Sequence, residues 1–166
     1  MSVAAIAIDN FLDTSKWNTI QAGITGYLTA PLYSENRTSL HTDINSWIKD
    51  KLSSLGLWNN LWEDEIKLFS SINVLPKNVD VEAADTENGG YHREFGGYIY
   101  YIHPAWETSW GGNLKFRDCD ASILEPKPNR FVWVYPEVWH GIQVVNDSAR
   151  TNRITVVAWP SGTVTY

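Results

Sequence analysis

A chain of 166 residues, 43% of them apolar, can bury one sizeable core and is too short for two ordinary domains, so residues 1–166 read as a single domain. Nineteen acidic against thirteen basic residues leave a net charge of -6, and the scattered basic residues form no run that could track a phosphate backbone, which argues against nucleic acid as a partner. The single cysteine, Cys119, excludes an internal disulfide framework, no window nears the roughly 20 apolar residues of a membrane span, and Met1 to Ile8 runs into Asp9 without a basic n-region; a soluble cytoplasmic protein, away from membranes, is expected.

In chain order, Val3 to Ile8 reads as a short strand, and Thr14 to Leu28 as a helix carrying Trp17, Ile20, Ile24 and Leu28. A second helix follows, with Thr42 or Asp43 as its cap, Ile44, Trp47, Ile48, Leu52 and Leu55 at helical spacing, and Gly56 as its stop. Ile66 to Val74 and Val79 to Ala84 look extended, with Pro76-Lys77-Asn78 turning between them. The rest is strands and turns: Tyr98 to His103, Asn113 to Arg117, Ser122 to Leu124, Arg130 to Tyr135, Val138 to Val145 and Arg153 to Trp159, separated by Gly, Pro and Asn clusters. Helices first and short strands afterwards predict an α+β, mainly β fold, a barrel or sandwich with N-terminal helices packed on one face. Nine Trp, eight Tyr and five Phe suit such strands and also the lining of a concave site.

Four histidines are available for chemistry: His41, His92, His103 and His140. Alternation beside a strand puts His92 and Glu94 on one side, where a ring nitrogen and a carboxylate oxygen can converge on a cation, and His140 lies inside a later strand. Two imidazoles and a carboxylate leave three octahedral positions open, the arrangement of a non-haem iron(II) oxygenase; the same letters also suit hydrogen-bonded strand histidines. Arg153 and Thr155 share a face of the last strand. Were that strand the hairpin partner of the one bearing His140, Arg153 would lie roughly 7 to 10 Å from it at ~3.3 Å per residue, about the reach of a five-carbon diacid. Otherwise Arg153 reads as a surface or turn cation. His41-Thr42-Asp43 opens a helix and reads as cap and surface, Arg150 as a turn residue, and Cys119 as inert for want of a nearby histidine.

Six blocks follow one another from about Val79 to Trp159: Gly90-Tyr91-His92-Arg93-Glu94, Tyr98-Ile99-Tyr100-Tyr101-Ile102-His103-Pro104-Ala105-Trp106, Trp110-Gly111-Gly112-Asn113-Leu114-Lys115-Phe116, Leu124 to Val132, Trp139-His140-Gly141-Ile142, and Arg153-Ile154-Thr155 leading into Trp159. In order and spacing they resemble the catalytic core of the prolyl 4-hydroxylase-like branch of the Fe(II)/2-oxoglutarate-dependent oxygenases, and Ile6 to Leu12 is similar to the start of that family's domains.

The resemblance implies a double-stranded β-helix (a jelly-roll or cupin-like barrel), with Fe(II), 2-oxoglutarate as cosubstrate and O2. It also implies hydroxylation of a C–H bond in a prolyl residue or another amino-acid-like substrate, peptidyl or small, with release of succinate and CO2. By position it makes His92, Glu94 and His140 the iron ligands and Arg153 the partner of the cosubstrate's far carboxylate. Tyr101 and Thr155 stand at cosubstrate positions, as does Trp159, which reads equally as a core tryptophan. Two features depart from the family: Glu94 stands where aspartate is usual, although a minority of the superfamily uses glutamate, and only Phe95-Gly96-Gly97 joins it to Tyr98. Asp85 is the alternative carboxylate. His103 falls where the family often has asparagine, which implies hydrogen bonding rather than ligation. The rival readings are a cupin-like metalloprotein that uses no 2-oxoglutarate and an aromatic-lined β-sandwich that binds carbohydrate.

Overall fold

The computed structural model describes residues 5–35, 38–58, 70–79, 90–91, 96–116, 123–135, 138, 140–158 and 164–165. Strand β1 (Ala5–Ile8) leads through Asn10, in the left-handed region at φ 51°, to Phe11, whose ring stacks on Phe131 at 4.5 Å. Asp13 caps α1 (Thr14–Gly23) by accepting from the Lys16 N–H at 2.9 Å. The helix ends short of the expected Leu28. Gly23, β-branched Ile24 and Thr25, and Gly26 are poor helix formers, and a 3₁₀ turn, Thr25–Tyr27, takes over. The carbonyls freed there are captured by Asn152, whose N–H reaches Leu28 O and whose side-chain amide reaches Tyr27 O and Ala30 O.

After β2 (Tyr33–Glu35), α2 (Ser39–Ser54) begins earlier than the sequence suggests. Its cap is Thr38, whose hydroxyl accepts from the His41 N–H, rather than Thr42 or Asp43. Starting a turn earlier rotates His41 onto the inward stripe with Ile44, Ile48 and Leu52, so His41 is buried rather than a surface residue. Its Nε2 lies 2.8 Å from Ser70 Oγ and 2.9 Å from Asn45 Nδ2, which makes it part of a structural polar network under the helix. The stop is as expected: Gly56 takes φ 71° and Leu57 N–H closes back on Leu52 O.

The remaining strands are β3 (Ser70–Leu75), β4 (Gly90–Tyr91), β5 (Gly97–Tyr101), β6 (Leu114–Phe116), β7 (Ile123–Leu124), β8 (Phe131–Val134), β9 (His140–Ile142), β10 (Arg153–Ala158) and β11 (Val164–Thr165). They form two antiparallel sheets, one of six strands in the order β1-β8-β5-β10-β3-β2 and one of five in the order β11-β4-β9-β6-β7. The expected mainly β fold with two N-terminal helices is thus present. Strands β2, β4 and β11, two or three residues each, are too short to show a periodicity in sequence. Portions of the expected strands at 66–69, 80–84, 117, 122 and 159 lie outside the described residues, as does Cys119. No helix among the described residues is long and apolar enough to cross a membrane.

Alternation divides the six-stranded sheet into two chemical faces. Tyr98, Tyr100, Ile154, Val156 and Ala158 pack against Ile20, Ile24, Ile44, Ile48 and Leu52 of the helical layer. Ile99, Tyr101, Val132, Val134 and Val157 point the other way and pack with Leu114 and Phe116 of the five-stranded sheet. Arg153 and Thr155 alternate with the first set, so they leave β10 on the face turned to the second sheet.

One expectation is corrected. Strands β9 and β10 are not hairpin partners: β9 pairs with β4 and β6, and β10 with β5 and β3. The connection 143–152 carries the chain from one sheet to the other, anchored where Val145 pairs with Gly111 and where Asn146 N–H meets Trp110 O. The two strands belong to different sheets, so no hairpin spacing relates Arg153 to His140.

Candidate active site

Arg153 opens β10 with its side chain almost wholly buried, at 3% exposure. Its Nε donates to Gly112 O at 2.8 Å, and Nη2 donates to the Tyr101 hydroxyl at 3.4 Å, with Cζ 5.1 Å from the centre of the Tyr101 ring. The other N–H groups of the fork have no acceptor among the described residues, and no carboxylate there faces it. Burial pulls its pKa below the ordinary arginine value, offset in part by Tyr101. A desolvated cation without a counter-charge is costly, and the cost is relieved when an anion binds.

Tyr101 ends β5 directly opposite Thr155, and both are buried. Burial raises the Tyr101 pKa and Arg153 opposes that rise, so the phenol stays neutral at physiological pH. Its oxygen accepts from Arg153, which keeps the phenol's own proton for a further acceptor. Arg153, Thr155 and Tyr101 thus form one polar patch on the face of the six-stranded sheet turned to the second sheet.

Gly112 is part of this site although the sequence assigned it no role. It sits at φ 69°, and a Cβ there would lie 3.2 Å from Arg153 Cδ and 3.0 Å from Trp106 Cζ2, so only glycine lets the backbone carbonyl reach Nε. The signal was the Gly111-Gly112 doublet. Next to it, His103 is fully buried with both ring nitrogens engaged: Nδ1 accepts from Ile154 N–H at 3.1 Å and Nε2 faces Pro126 O at 2.5 Å. Burial pushes its pKa down to about 3, so it is a neutral hydrogen-bonding residue, as its place in the sequence implied.

On the opposite wall, His140 begins β9 across from Phe116. Phe116 belongs to the cluster between the sheets, and paired residues leave the same face, so the His140 side chain points inward as well. Its Nδ1 donates to Val138 O at 3.0 Å, which puts the lone pair on Nε2. Burial lowers its pKa, against the pull of that hydrogen bond, and favours the neutral ring that ligation requires. His140 also pairs with Gly90 of β4. His92, Glu94 and Trp159 lie outside the described residues, as does Asp85, and among the described residues no three metal-binding side chains cluster. Arg150 is exposed.

A family model described as the 2OG-Fe(II) oxygenase superfamily matches residues 73–161. The chain belongs to that superfamily. Its members are iron(II) dioxygenases that use 2-oxoglutarate and O2, and this chain is accordingly a dioxygenase that depends on the same three cofactors.

Solved structures share the fold at low identity. The prolyl-4-hydroxylase of Pseudomonas putida aligns with TM-score 0.58 and 12% identity over 94% of this chain and 91% of that one. A Trichoplax adhaerens prolyl hydroxylase, solved with a hypoxia inducible factor oxygen degradation domain peptide fragment, aligns with TM-score 0.57 and 13% identity over 94% and 82%. NgTET1 in complex with 5mC DNA gives TM-score 0.58 and 14% identity over 96% and 74%. No curated protein sequence matches the chain.

Proposed function

We propose that this oxygenase hydroxylates a prolyl residue, or a similar amino-acid-like substrate. In this reading His92, Glu94 and His140 hold iron, and Arg153, Tyr101, Thr155 and Trp159 surround 2-oxoglutarate. The two sheets are read as the walls of a double-stranded β-helix with the site between them. The observation that carries the reading is the buried guanidinium of Arg153, which no carboxylate faces among the described residues; it fits the far carboxylate of a dicarboxylic acid, which gives a reason for its burial. A cupin-like protein without 2-oxoglutarate has no use for it.

The ligand set gains support from register. Gly90, two residues before His92 in the chain, stands opposite His140. Bound iron and 2-oxoglutarate supply the activation of dioxygen, coupled to release of succinate and CO2. The chain's own residues do the rest. His140 is held by Val138 O with Nε2 presented, Arg153 neutralises the distal carboxylate, and the Tyr101 hydroxyl donates to it. Ile99, Val157, Leu114 and Phe116 keep water from the space between the sheets. A peptidyl or small-molecule substrate accords with the net charge of -6 and the absence of a basic stripe in the sequence, and a cytoplasmic setting accords with the single cysteine.

Two measurements test this. With iron(II) and oxygen the protein should convert 2-oxoglutarate to succinate, and a proline-containing peptide library should yield products heavier by one oxygen. Replacing Arg153 with Ala should weaken 2-oxoglutarate binding by roughly 2 to 5 kcal/mol and leave metal binding unchanged, because a charge-assisted contact is lost from a dry pocket. A larger cosubstrate defect in Arg150→Ala would show that the wrong arginine has been assigned.

A further inference from the structure

Among the described residues Arg153 keeps one guanidinium edge without an acceptor, and several side chains hold the rest of it still. The Trp106 indole donates from Nε1 to Gly111 O at 3.0 Å, and its ring lies so close to Gly112 that a Cβ there would be 3.0 Å from Cζ2. Trp110 meets that indole edge to face, with ring centres 5.2 Å apart, and His103 packs on it at 4.5 Å. The clamped Gly112 then presents the carbonyl that binds Arg153 Nε at 2.8 Å. His103 also accepts from Ile154 N–H, one residue past Arg153 in β10. The same aromatic group therefore holds the residue after the arginine, through His103 and Ile154 N–H, and the guanidinium itself, through Gly112 O.

We propose that Trp106, acting through Gly111 and Gly112 and buttressed by His103, is a positioning residue that sets the pose of Arg153 and with it the length of diacid the site accepts. The proposal rests on the reading of Arg153 as the carboxylate-binding residue. A long, flexible cation held in one rotamer meets a carboxylate at one depth; released, it follows carboxylates at several. Arginine not tied at Nε would swing within its pocket, with lower affinity for the five-carbon acid and weaker discrimination against its six-carbon homologue, 2-oxoadipate.

The test is calorimetric titration of the manganese-loaded protein with 2-oxoglutarate and with 2-oxoadipate, alongside melting curves. Trp106→Phe keeps a ring and deletes the indole donor; it should weaken 2-oxoglutarate binding about fivefold, the worth of one neutral hydrogen bond, and narrow the ratio between the two acids. Manganese affinity and kcat at saturating 2-oxoglutarate should stay within about twofold, since neither depends on the pose once the acid is bound. In an Arg153→Lys background, which lacks the tethered Nε, the same change should add nothing, because both substitutions act on one contact. If Trp106→Phe lowers the melting temperature and leaves both acids bound as before, Trp106 is structural and the proposal is wrong. If Arg153→Lys itself leaves 2-oxoglutarate binding unchanged, it is the arginine assignment that has failed, and the positioning role falls with it.

Discussion

His103 illustrates how a single side chain carries a pH dependence unrelated to chemistry. Its pKa is about 3 in the fold and about 6.5 in an unfolded chain, so between those values the unfolded state binds one more proton. The contribution of the neutral ring is fully present above pH 6.5 and is lost as pH falls toward 3. A one-proton difference corresponds to a slope of about 1.4 kcal/mol per pH unit. His103→Asn removes the titrating group and supplies an amide able to keep one of the two hydrogen bonds. Urea unfolding between pH 4 and 6 should therefore show a stability slope shallower by about that amount, and an unchanged slope would mean that His103 is already protonated or accessible in the fold.

At the scale of elements, α2 is the clearest case of sequence pattern becoming packing. Ile44, Ile48 and Leu52 are all buried against the outer face of the six-stranded sheet, at spacings that stack them one turn apart. Ile48→Ala leaves a cavity that a sheet of large aromatic side chains cannot close, and it should cost about 2 to 5 kcal/mol in chemical denaturation. Because Ile48 faces away from the second sheet, 2-oxoglutarate affinity of the folded fraction should be unaffected. The beginning of the same helix was harder to read. The sequence suggested Thr42 or Asp43 as its cap and the structure uses Thr38, a choice that decides whether His41 faces solvent or core. That choice was made by Ser70 and Asn45, which give the buried ring its partners, and Ser70 belongs to a strand distant in sequence.

For the whole molecule, the proposed site is divided between the two sheets. Arg153, Tyr101 and Thr155 belong to the six-stranded sheet and His140 to the five-stranded one, so ligands that span them should brace the two sheets together. A ligand at 100 times its dissociation constant stabilises the state it binds by ~2.7 kcal/mol. Thermal unfolding should therefore shift upward with manganese, and further with added 2-oxoglutarate. His140→Ala should lose the manganese-dependent shift while Arg153→Ala keeps it and loses the increment from 2-oxoglutarate. A full manganese shift in His140→Ala would remove His140 from the ligand set.

Much of this was legible in the sequence because it is local. The second helix follows from apolar spacing and the Gly56 stop, and strands β5, β8 and β10 from runs of β-branched and aromatic residues. The chemical reading of His140, Arg153 and Tyr101 follows from residue type, order and the blocks around them, and His103 was expected as a hydrogen-bonding residue from its place in those blocks. What the tertiary structure alone decided is non-local. Whether β9 and β10 are neighbours or opposite walls depends on strand pairing, to which the sequences of the two strands are nearly indifferent, since each satisfies its hydrogen bonds in either sheet. Gly112 and Trp106 acquired roles only when Arg153, some forty residues away in the chain, was brought against them: a carbonyl has no address in the sequence, and its availability to a guanidinium is set by a backbone angle and a missing Cβ.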